Sequence, residues 1–185
     1  ASEALSLPSL MNAETFFRAK GWDMAEAIET DGHFRGWVEP GVVARYGLEP
    51  SAAAAWEKHG GLPGKFYQKV DRAGLPAELR ARGWSNAKAA SATQLQKNPN
   101  AYFYRHVAPH EEQAFGEWEP WEHEAFMDAC RRHGVGDKWG LFASYVPNRV
   151  GYQCSAYYRD EVLPRGLVVD RRFLFTRTGE AVFAG

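Results

Sequence analysis

Cationic side chains crowd into the middle of this chain. Between Trp56 and His110 there are nine Lys and Arg against three Asp and Glu, a local balance of +6 within a sequence whose overall charge is −1. Lys58, Lys65, Lys69, Arg72, Arg80, Arg82 and Lys88 carry most of it, with Phe66, Tyr67 and Trp84 interleaved. Clustered cations with rings among them suit contacts to the phosphates of a nucleic acid, and the whole chain has too little net charge to bind one by bulk attraction. A solvated helical face has the same composition, so both readings stand. A second set with chemical potential is Cys130 and His133, with His123 and Cys154 expected nearby once the surrounding helices pack. Zinc takes such sulfur and nitrogen ligands, but a single Cys-x-x-His step lacks a second pair at ligand spacing. Two free cysteines acting as small core hydrophobes fit better, so no metal is expected. No Gly-rich phosphate loop, nucleophile elbow or pair of acid–base carboxylates occurs, and the chain is expected to have no catalytic residue and no cofactor.

The elements that must position these groups read as helices. At 185 residues the chain is long enough for one sizeable core or two small ones, and two are expected. Asn12 can cap a helix ending at Gly21, and Asp23 another running through Ile28 toward Gly32. Residues 42–61 read as a helix ending at Gly47, a turn through Leu48, Glu49 and Pro50, and a second helix capped by Ser51. That is a helix-turn-helix layout. Ala52 to Ala55 offer no side chain that could read a base edge, which favours an architectural pair over a DNA-reading one. Further helices are expected for Lys65 to Ala73, Ala77 to Arg82 and Asn86 to Lys97. The Lys97-Asn98-Pro99-Asn100 run reads as a boundary. The expected order is a helical unit over 12–98, an aromatic linker over 99–115 with Tyr102, Phe103 and Tyr104, a compact helical domain over 116–163, and a tail over 164–185. In the linker the rings dock one unit on the other or stack on single-stranded bases. In the tail, Phe173 to Thr176, then Thr178-Gly179, then Ala181 to Phe183 alternate as a β-hairpin does. Two cysteines and the lack of a signal-like or bilayer-length apolar run point to a reducing, intracellular setting without membrane insertion.

The segment from Trp118 to Leu163 is the most patterned. Trp118, Trp139 and Tyr158 recur about twenty residues apart, because so small a unit needs a few large rings to fill the space between its helices. Ala125, Phe126, Ala129, Cys130 and His133 form an apolar stripe, opened by Pro120 and closed by Gly134 and Gly136. With Phe142 and Ala143 on a second helix, Pro147-Asn148-Arg149 as a turn, and Gln153, Cys154 and Tyr158 on a third, the segment resembles a Myb/SANT repeat. The expected core is Trp118, Phe126, Trp139, Phe142, Cys154 and Tyr158. The fold class follows: mainly α, of helix-turn-helix type, with an N-terminal helical unit, a three-helix repeat and a short C-terminal hairpin.

The resemblance implies a DNA- or chromatin-associated binding protein in a larger nuclear complex. It places Tyr152, Ser155 and Ala156 on the third helix's recognition face, with Arg159 near its end. None is a usual base reader, and from Gly116 to Leu163 five Lys and Arg face eight Asp and Glu, a balance of −3. Phosphate attraction needs the opposite sign. The expectation is therefore that DNA is bound largely without sequence preference. The cations assigned to it are those of the central segment together with Arg149 and Arg159. The alternative is a SANT-type module holding a histone tail or an enzyme subunit, with Trp121 and Tyr152 as partner contacts. Glu122 and Arg149 match a family pair that bridges helices, a structural role.

Overall fold

The computed structural model describes residues 9–59 and 93–185. The chain divides into two compact units. Among the described residues the first gathers 9–36, 116–139 and 152–185, and the second 37–59, 93–115 and 140–151. This grouping differs from the linear partition the sequence suggested. The ends of the chain belong with the C-terminal helices because strands from both ends pair.

In the first unit β1 (Leu10–Met11) leads into α1 (Ala13–Lys20). Asn12 caps α1, its side-chain oxygen accepting from Thr15 N at 2.9 Å. Asp23 caps only one 3₁₀ turn (Met24–Glu26) rather than the expected helix toward Gly32. The chain then straightens into β2 (Ile28–Glu29), which pairs in parallel with β3 (Val168–Val169). That partner lies far along the sequence, and pairing with its two buried valines outweighs local helix formation. The hairpin of β4 (Phe173–Thr176) and β5 (Ala181–Phe183) forms as read, and β1 joins β4 to make a three-stranded antiparallel sheet. The Phe16 ring stacks on Phe175 with centroids 4.1 Å apart, fixing α1 to this sheet. Helix α5 (Pro120–His133) is the longest element described. It is followed in sequence by α6 (Trp139–Ala143) and α7 (Gly151–Tyr157).

In the second unit α2 (Pro40–Tyr46) and α3 (Ala52–His59) form the helix pair read from the sequence. Gly47 takes a left-handed φ of 63° and returns its N–H to Val43 O, and Ser51 Oγ accepts from Ala54 N at 3.1 Å. The stretch expected as a linker instead opens with α4 (Pro99–Arg105), capped by Asn98. Tyr102 and Phe103 are buried and Tyr104 is exposed. The Asn100 side chain accepts from Leu141 N at 3.0 Å, and Ala114 N donates to Asn148 O at 2.8 Å. Gly140 is what permits this approach, since a Cβ there would lie 1.7 Å from Asn100 O. The helices expected over 65–73 and 77–82 lie outside the described residues, as does 86–92; residues 93–97 are helical.

Candidate nucleic-acid interface

Helix α5 is bounded by its own sequence. Pro120 occupies the first turn, where its missing N–H costs nothing, and the Glu122 carboxylate accepts from Glu119 N at 2.8 Å. At the other end Gly134 has φ 82° and donates to Cys130 O at 3.0 Å. A Cβ at Gly134 would sit 2.5 Å from His33 O, so only glycine lets the 30–36 segment lie against the helix end. Arg35 N donates to His133 O at 2.7 Å, and Phe34 N to the Asp137 carboxylate at 2.7 Å.

Aromatic rings run from α5 to the third helix. Trp118 lies 5.8 Å from Phe126, Phe126 is 6.3 Å from Trp139, and Trp139 is 5.2 Å from Tyr158. Trp118 also stacks on Tyr157 at 3.9 Å, a partner the sequence did not suggest. Phe126, Phe142, Cys154 and Tyr158 are fully buried, while Trp118 and Trp139 keep part of their surface. Cys130 is buried as well, and burial pushes its thiol far above the ordinary range. Among the described residues no group of three or more His, Cys, Asp or Glu side chains comes together as metal ligands would.

Residues 115–161 match the family model of the Myb-like DNA-binding domain. The C-terminal part of the chain is a Myb-like unit. No curated protein and no solved structure matches the chain. Residues 115–161 contain α5, α6, α7 and the residues that follow α7.

The third helix is not uniform. α7 ends at Tyr157 and continues as a π turn (Tyr158–Val162), with Leu163 N donating to Tyr158 O at 3.0 Å. The residue pattern supplies the reason. Two apolar pairs, Tyr157-Tyr158 and Val162-Leu163, flank three charged residues, and all four are buried. A buried pair repeated every five residues matches the i→i+5 winding of a π turn.

On its outer side Tyr152 is 43 % exposed, and Ser155 and Ala156 are half-buried, so the three expected readers do share an accessible stretch. Arg159 is exposed but forked onto Asp160 at 2.9 and 3.2 Å, which raises its own already high pKa. Arg165 pairs with Glu161 at 3.0 Å. Beside them an open cleft of about 700 Å³ is lined by Trp118, His123, Glu124, Tyr157, Glu161 and Arg165. His123 Nδ1 and the Tyr157 hydroxyl are hydrogen-bonded at 2.5 Å. Burial, then the nearby Arg165, holds His123 below its ordinary pKa, which favours the neutral ring. The described surface near the third helix thus carries paired rather than surplus charge.

The expected cations are placed unevenly. Lys58 lies on α3 against Glu49 at 3.0 Å, so a phosphate would have to displace that carboxylate. Lys65, Lys69, Arg72, Arg80, Arg82 and Lys88 lie outside the described residues. Arg149 corrects the expectation set for it: at 4 % exposure it is buried, where a phosphate cannot reach it. Glu122 is likewise buried, at 2 %. Trp121 is 48 % exposed, its indole N–H donating to Glu119 at 2.8 Å.

Sequence reading missed a buried network at the end of the third helix. The Tyr158 hydroxyl donates to Asp170 Oδ2 at 2.6 Å. Arg172 forks onto the same carboxylate, Nε to Oδ1 at 3.0 Å and Nη2 to Oδ2 at 2.7 Å, and its Nη2 also reaches Gly136 O at 3.2 Å. Burial alone would raise Asp170, but the hydrogen bonds from Arg172 and Tyr158 outweigh it and hold the carboxyl below its ordinary range. The available signal was an acidic residue directly between two valines and two arginines at 168–172.

Proposed function

We propose that this chain binds duplex DNA through the exposed side of its third helix, around Tyr152, Ser155, Ala156 and Arg159, with phosphates held by the basic central segment. The observation that carries this reading is the match of residues 115–161 to the Myb-like DNA-binding domain. The charge distribution supports a division of labour: +6 over Trp56 to His110 and −3 over Gly116 to Leu163. Phosphates supply affinity without sequence information, and the third helix supplies orientation with few donors to read bases. The binding is therefore largely non-specific. The chain acts by binding rather than by catalysis, as a subunit of a larger complex in the nucleus, where Myb-type domains typically work.

Mobility shifts of the full chain on random-sequence duplex at two salt concentrations test the reading. Retardation at low salt that weakens as salt rises is expected, because Lys and Arg contacts release counterions. Absence of retardation at low salt defeats it. A second reading rests on the exposed Trp121 and the acidic balance of the repeat: a SANT-type contact with a basic segment such as a histone tail. It gains ground if Trp121→Ala abolishes capture of a basic peptide while duplex is never retained.

A further inference from the structure

The Tyr158 hydroxyl is not needed to fill the core, since the ring alone does that against Trp139 and Phe173, with centroids at 5.2 and 6.0 Å. A buried hydroxyl must find a partner, and here the partner lies outside the repeat. Asp170 is 2 % exposed and receives the phenol and the Arg172 fork together. Arg172 extends the connection to the Gly136 carbonyl in the loop after α5. A continuous polar link thus runs from the loop behind the first helix, through Arg172 and Asp170, to the residue at which the third helix changes from α to π winding. The π turn carries Arg159, and the residues just before it carry Tyr152, Ser155 and Ala156. A π turn is an uncommon winding that surrounding contacts must hold in place.

We propose that Asp170 is a positioning residue of the third helix: acting through the Tyr158 hydroxyl, it fixes the π turn and so sets how the outer face of that helix is presented. Its consequence for binding rests on the DNA reading above; its consequence for the helix does not. Arg172 is the second member of the device. By holding the carboxylate in one orientation it keeps an oxygen aimed at the phenol.

The test uses the full chain carrying Tyr158→Phe, which keeps the ring and deletes only the link, and Asp170→Asn, which keeps an oxygen for the phenol and weakens the Arg172 fork. Amide hydrogen exchange and dissociation constants for a random-sequence duplex are measured at a temperature where parent and variants are folded by circular dichroism. For Tyr158→Phe, exchange at residues 159–162 is expected to quicken about tenfold while α5 is unchanged, with duplex affinity falling about three- to tenfold, the net scale of one ordinary hydrogen bond. Asp170→Asn should show the same pattern more weakly, and stands in if Tyr158→Phe does not fold. Exchange that quickens equally in α5 and 159–162, or in neither, overturns the proposal. Localised exchange with parental affinity overturns the role in binding. If the parent itself fails to retain duplex, the DNA reading falls, and the exchange pattern still decides whether Asp170 positions the helix.

Discussion

The first and third helices of the Myb-like unit differ in what ends them. α5 begins at Pro120 with the Glu119–Glu122 contact and stops at Gly134, all features of its own sequence. The third helix passes from α7 into a π turn whose buried partner, Asp170, is supplied by the tail. One helix is bounded by its own sequence, and the other combines its own residue pattern with a buried partner from the tail. That difference matters for function, because the externally held helix is the one that presents the candidate DNA-binding face.

Removing what the two helices share should have the largest effect. Trp139 lies between Phe126 of α5 and Tyr158 of the third helix, and Trp139→Ala is expected to cost about 3 kcal/mol, lowering the thermal transition of the full chain. An unchanged transition would remove the ring core from the account. Next comes the tail. Asp170→Ala removes the acceptor that the Tyr158 hydroxyl and Arg172 share and should cost about 2 kcal/mol in denaturant unfolding. The same carboxylate sets an acid limit. Its folded pKa lies below the ordinary value of 3.8, so its contribution is complete above roughly pH 5 and disappears as pH falls through the folded value. Asp170→Asn should therefore flatten the acid side of the stability profile and lower the neutral plateau. A local change should cost less: Glu119→Ala ought to take about 1 kcal/mol, read as fraying confined to the first turn of α5. The smallest effect is expected at Arg171, exposed and paired with Glu14 and Glu29, where Arg171→Ala should leave the thermal midpoint in place.

The same comparison explains what could be read from sequence. Asn12, Gly47, Ser51, Pro120 and Gly134 act within a turn of where they stand, and each marks the element boundary it implied. The ring spacing was legible because filling a small core constrains residue size wherever the helices lie. The β2–β3 pairing was not, since Ile28 and Val168 carry no local sign of one another, and a capping Asp23 argued for a helix. The linker was misread because Asn98-Pro99 marks a helix start as readily as a break. At the candidate interface, Tyr152, Ser155, Ala156 and Arg159 were placed by the repeat, but burial of Arg149 and the role of Asp170 depend on contacts that periodicity does not report.

The salt dependence of duplex binding tests the central claim most directly. The parent chain is compared with a variant in which Lys65, Lys69, Arg80 and Arg82 are all replaced by Ala, and the logarithm of the binding constant is followed against that of salt concentration. Each lost phosphate contact reduces the slope by about 0.9, so a shallower slope by up to roughly 3.6, with weaker binding to every sequence tried, is the predicted result. Equal slopes and equal affinities in parent and variant would contradict the account, because the central cations would then not be what holds the DNA.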